Sequence, residues 1–128
     1  MTKPHLAGSH IVTADVPRLA RFYETVLGES LAGSEEYVVF RTPGVALAIC
    51  SKCASDIYAR DAAVPAENRS IIMDFEVDDV DAERRRLGSM ITRFVLEPVT
   101  LPWGNRSMLF RDPDGNLINF FSPSDDTR

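Results

Sequence analysis

No apolar run in this 128-residue chain approaches the ~18 residues of a membrane-spanning helix. The opening segment MTKPHLAGSH lacks the continuous apolar core of a secretory signal. Those two absences lead us to expect a cytoplasmic protein with no membrane partner. Positive charge is scarce too: 14 Lys and Arg stand against 19 Asp and Glu, a net charge of −5. Neutralising phosphates takes a basic patch, so no nucleic-acid partner is expected. Cysteine is limited to Cys50 and Cys53, a lone C-x-x-C that follows an apolar run and leads into a polar segment. A redox or zinc role wants a second ligand pair or a helix opening on the first cysteine, and the plain alternative is two reduced thiols. What the chain has is a hydrophobic fraction of 45%, enough for one domain with a buried core.

The first strong pattern is ADVPRLARFYETVLG, residues 14–28. Leu19, Phe22, Tyr23, Val26 and Leu27 recur at helical spacing and predict one apolar helix face. Asp15 suits the N-cap, Pro17 the first turn, and Gly28 a left-handed end. Before it, His10 to Thr13 reads as a strand. The same grammar returns at Ile71 to Val77, a strand, followed by DDVDAERRRLG: an acidic cap, a short helix and a terminating Gly88. Sixty-four residues separate Asp15 from Asp79, half the chain, which suggests two copies of one unit. After each helix come strands that can pair as hairpins: Tyr37 to Phe40 and Val45 to Cys50 in the first half, Ile91 to Leu96, Ser107 to Phe110 and Asn116 to Phe121 in the second. Asp112-Pro113-Asp114-Gly115 supplies the last turn. The modules span about 5–51 and 70–123, with a polar, alanine-rich linker at about 52–69. Halves of this size bury too little surface to stand alone, so a shared core is expected.

With D-V-P-x-x-x-x-F-Y-x-x-V-L-G, F-E-V-D-D-V-D, and P-W-G-N-R followed by R-D-P-D-G-N-L-I-N-F-F, in that order and spacing, the chain resembles the vicinal oxygen chelate superfamily. This is the glyoxalase / bleomycin-resistance / extradiol dioxygenase family. The resemblance covers nearly the whole chain. It implies an α+β fold of two βαβββ modules whose curved mixed sheet surrounds a cavity, in a homodimer, with a small molecule as partner. Enzymes of the family hold a divalent metal on His, Glu or Gln side chains facing the cavity. Carried over from the matched motifs, those positions fall on Gly8, near Ala48, on Ile72 and on Asn119. Three of the four offer no ligating side chain, and one amide oxygen is a poor anchor for a hard cation. The expectation is therefore no metal and no cofactor.

Strand alternation says which side chains share a face with those positions. On the first strand it carries His10 and Val12; on the Ile71 to Val77 strand, Ile72, Asp74 and Glu76, with Met73, Phe75 and Val77 toward the helices. Along Val45 to Cys50 the small face is Ala46, Ala48 and Cys50, which leaves volume for a ligand or for close packing of another element. A four-residue loop in the last hairpin would pair Met108 with Asn119 and Phe110 with Leu117, turning all four to one side. Trp103, between Pro102 and Gly104, either stacks over a flat ligand or seals the core beneath a loop. His10 is either a satisfied structural residue or a hydrogen-bonding, proton-accepting one. Asp74 and Glu76 are solvated at a strand end, or face inward and receive amines or hydroxyls. Arg84, Arg85 and Arg86, following four acids, suit a helix C-terminus on a solvated face.

Two functions follow. The first is a metal-free binding protein that sequesters an antibiotic or other aromatic or cationic natural product, with His10, Ala48, Asp74, Glu76, Trp103, Met108, Phe110 and Asn119 as ligand contacts. The second is a lyase, isomerase or dioxygenase of the family, using a divalent metal in a shifted register or His10 as a base.

Overall fold

The structure is a computed structural model that describes residues 3–30, 32–92 and 94–123. The chain forms two compact units, residues 1–67 and 68–128. Each is a four-stranded mixed sheet with a helix packed on one face, in the order strand, helix, three strands.

The first unit contains β1 (Gly8–Thr13), α1 (Val16–Leu27), β2 (Ala32–Gly33), β3 (Tyr37–Arg41), β4 (Ala46–Ser51) and the one-turn α2 (Lys52–Ser55). The sheet runs β1-β4-β3-β2, with β1 parallel to β4 and the other pairs antiparallel. Helix α1 starts where the sequence predicts. The Asp15 carboxylate accepts the Arg18 N–H at 3.1 Å, and Pro17 lies in the first turn, where its missing donor costs nothing. Gly28 ends the helix at φ 70°, its N–H bonded to the Glu24 carbonyl at 2.8 Å. The buried face is Val16, Leu19, Ala20, Tyr23 and Val26. Phe22 and Leu27 are half-buried, so the core stripe sits slightly to one side of the one expected. It packs on β3 and β4 through Val38, Phe40, Leu47 and Ile49. Burying each of Leu19, Val26, Phe40 and Ile49 stabilises the fold by about 1.5–3 kcal/mol before chain entropy is counted.

The second unit repeats the plan with β5 (Ile72–Glu76), α3 (Val80–Leu87), β6 (Phe94–Thr100), β7 (Arg106–Arg111) and β8 (Leu117–Ser122), in the sheet order β5-β8-β7-β6. Asp79 caps α3 by accepting the Ala82 N–H at 3.0 Å. Gly88 ends the helix where the sequence places its stop, at φ −61°, and the chain leaves through N–H groups of Met90 and Ile91 bonded to the Leu87 carbonyl. The core joins Val80, Leu87 and Ile91 to Met108, Phe110, Ile118 and Phe120. Its rings meet edge to face, Phe110 lying 5.2 Å from Phe120 and 6.1 Å from Phe94. Arg84 is more than a solvated helical charge. Its guanidinium lies 3.9 Å above the Phe94 ring and its Nε donates to Glu97 at 2.7 Å, pinning α3 to β6. Arg106 on β7 grips Asp81 with two hydrogen bonds, 2.6 and 2.8 Å.

The last hairpin corrects the expected register. Asp112 pairs with Asn116 and Gly115 takes φ 88°, so the loop is three residues closed by a left-handed glycine, not four. Two N–H groups, of Asp114 and Asn116, donate to Asp112 Oδ1 at 2.9 Å, and Asn116 Nδ2 donates to Oδ2 at 2.8 Å. This network fixes the turn. Met108 consequently faces Phe120, Phe110 faces Ile118 and Leu109 faces Asn119. A one-residue slip exchanges the faces of a strand, and here it moves Met108 and Phe110 into the helix-side core.

Candidate functional site

On the first unit's sheet, the face away from α1 is built by alternation. The parallel register sets Gly8 beside Ala46, His10 beside Ala48 and Val12 beside Cys50. The antiparallel register then adds Tyr37 beside Cys50, Val39 beside Ala48 and Arg41 beside Ala46. Gly8, Ala46 and Ala48 make a floor of small residues, as the β4 pattern predicts. Gly8 has no room for a side chain, since a Cβ there would lie 2.5 Å from the Ala46 carbonyl oxygen. Over this floor is a hollow of about 530 Å³, walled by His10, Tyr37, Val39 and Arg41. The His10 Nε2 and the Tyr37 hydroxyl are 3.3 Å apart, and the rings meet edge to face at 5.6 Å. Tyr58, just beyond α2, tilts toward His10 at 6.2 Å. His10 and Ala48 therefore stand side by side on this face. Tyr37 and Arg41 were missed, although Val38 and Phe40 pointing inward would have put them on this face.

The opposite face of the second sheet carries the remaining polar residues. Asn119 Nδ2 donates to Asp74 Oδ1 at 3.0 Å, and the β5–β8 register places Glu76 beside Phe121. Asn119 Oδ1 is buried, and among the described residues no donor reaches it. Asp74 and Glu76 are both exposed, matching the solvated alternative. Met108 and Phe110, expected as ligand contacts, are fully buried against the helix side and touch neither face. Trp103 projects from the Leu101–Asn105 turn with 69% of its surface exposed, so it seals no core.

The four positions that a metal-binding relative would use do not suit a divalent ion here. Gly8, Ala48 and Ile72 carry no side-chain donor atom, which leaves the single amide oxygen of Asn119 as a ligand, too few for a hard cation. Among the described residues no three His, Cys, Asp or Glu side chains converge on one point. Cys50, on the small face, is buried, and burial pushes its thiol above the ordinary value, which disfavours the thiolate. Cys53 is exposed, and neither cysteine is in a disulfide.

Comparison with known proteins agrees with this architecture. The model of the Glyoxalase/Bleomycin resistance protein/Dioxygenase superfamily matches residues 4–120, and the chain belongs to that superfamily. It is similar to the crystal structure of a glyoxalase/bleomycin resistance protein/dioxygenase from Nocardioides, at 24% identity and TM-score 0.78 over 98% of this chain and 87% of that one. It is also similar to a family enzyme from Burkholderia phytofirmans, at 17% identity and TM-score 0.78 over 93% and 98% of the two chains. A lactoylglutathione lyase from Agrobacterium tumefaciens shares 19% identity, with TM-score 0.70 over 95% and 96%. At these identities the likeness is one of fold. A search of curated proteins returned no match.

Proposed function

We propose that this protein is a metal-free small-molecule binder that sequesters an aromatic natural product such as an antibiotic, as a homodimer in the cytoplasm. The observation that carries the reading is the hollow of about 530 Å³ on the first sheet, where His10 and Tyr37 stand over a floor cleared by Gly8, Ala46 and Ala48. That volume lies within the usual range for small-molecule sites, and binding needs only shape, ring contact and a few placed hydrogen bonds.

The test is calorimetric titration with a panel of aromatic antibiotics, beside an Ala46→Leu variant whose side chain fills the hollow. Saturable binding by the wild type and none by the variant is the expected result. No binding across the panel, with no protection of a host cell, would sink the proposal. Elemental analysis of protein purified in the presence of zinc, nickel and manganese provides an independent test, because one tightly held ion per chain contradicts a metal-free site.

A second reading has one specific support, the 3.3 Å approach of His10 Nε2 to the Tyr37 hydroxyl. An imidazole so oriented could take a proton from a bound carbon acid in a lyase or isomerase. This reading fails if, on an identified substrate, His10→Ala retains full turnover.

A further inference from the structure

Three of the arginines in this structure are committed to carboxylates: Arg84 to Glu97, Arg86 to Glu83 and Arg106 to Asp81. Arg41 is different. It lies on the wall of the first unit's hollow, and among the described residues no carboxylate reaches it. Among the described residues no aspartate or glutamate lines that hollow, although the chain carries 19 of them. The one fixed charge there is thus positive, and the other ionisable neighbours are His10 and Tyr37, which hydrogen-bond to each other.

We propose that this hollow selects an anion, namely a planar aromatic carboxylate whose ring lies against the His10–Tyr37 pair and whose charge is received by Arg41. The proposal rests on reading the hollow as the ligand site. The spacing supports it. Tyr37, Val39 and Arg41 share one face of β3, and four residues of strand separate the ring end from the charge end by roughly 13 Å. The arginine side chain can fold back over Val39 to shorten that distance. Between the two ends the ligand crosses Val39 and the Ala46 and Ala48 floor, none of which carries a charge to compete with Arg41. A guanidinium presents two parallel N–H groups in the geometry of a carboxylate, which an ammonium does not.

The experiment titrates three matched probes, 2-naphthoate, 2-naphthamide and 2-naphthylmethylamine, into wild type, Arg41→Gln, Arg41→Lys and Ala46→Leu, each checked for folding by circular dichroism. Naphthoate should bind tightest to the wild type. Arg41→Gln should weaken it by about ten- to hundredfold, the worth of one charge-assisted contact, and leave the amide unchanged. Arg41→Lys should restore part of that loss, and Ala46→Leu should weaken all three probes. Equal binding of the three probes, or naphthoate affinity untouched by Arg41→Gln, overturns the selection of an anion. If Ala46→Leu still abolishes that binding, the hollow stands as the ligand site on its own. Failure of every probe to bind folded wild type overturns both.

Discussion

Replacing Phe110 with alanine tests the register of the last hairpin, on which the sorting of core from surface in the second unit depends. Phe110 is 0% exposed and contacts the rings of Phe94 and Phe120 edge to face. Truncation removes the apolar burial and both ring contacts, each of the latter worth about 0.5–1.5 kcal/mol beyond area. The neighbours are held by β-ladders on both sides and cannot close the gap, so the expected loss is about 3–5 kcal/mol. That is a large part of the ~5–15 kcal/mol by which a domain is usually stable. The control is Leu109→Ala, half-buried on the other face beside Asn119, for which about 1 kcal/mol is expected. Urea unfolding followed by far-ultraviolet circular dichroism reads both, with midpoints shifting and slopes unchanged. In the four-residue-loop register the assignments reverse, with Leu109 in the core and Phe110 on the opposite face. A costly Leu109→Ala beside a mild Phe110→Ala would therefore refute the hairpin described above.

Three further outcomes follow from other parts of the molecule. Gly8→His, the obvious step toward a metal site, should lower the melting temperature by several degrees, because its Cβ would crowd the Ala46 carbonyl at 2.5 Å and overpacking costs about 1–3 kcal/mol; an unchanged melt with stoichiometric nickel would contradict this. Asp81 and Glu97 are held below the ordinary carboxylate range chiefly by hydrogen bonds from Arg106 and Arg84. The unfolded chain then binds more protons than the folded one in acid, so their stabilisation is full above about pH 4 and is lost as pH falls through the lowered folded values. The gap in stability between wild type and Asp81→Asn should accordingly shrink from neutral pH to about pH 3, and a constant gap would refute the assignment. Cys53 should react with Ellman's reagent in the native protein while buried Cys50, its thiol raised by burial, waits for unfolding. Simultaneous reaction of both thiols would argue against that burial.

Features settled within a few residues of sequence were readable in advance. Asp15, Pro17 and Gly28 each act on the backbone beside them, and α1 begins and ends accordingly. The alternation of Ala46, Ala48 and Cys50 with Leu47 and Ile49 assigns the two faces of β4 without knowledge of any partner strand. Gly88 likewise ends α3 at the predicted residue, though from the right-handed backbone region, with the Leu87 carbonyl taking the following N–H groups. Arg84 reads as a surface charge until β6 brings Phe94 and Glu97 beneath it.

The hairpin shows a sharper limit. Whether Gly115 is the fourth loop residue or the left-handed closing residue of a three-residue loop is one torsional choice, yet it decides the face of every side chain on β7 relative to β8. The principal contact of the candidate site lies beyond that limit for the same reason. His10 and Tyr37 are 27 residues apart, and their meeting requires both the parallel β1–β4 register and the antiparallel β3–β4 register. Sequence alternation gives each strand its faces but not the two offsets between strands. A slip of one residue in either pairing would bury one of the two rings against α1, so the site exists because both offsets hold together.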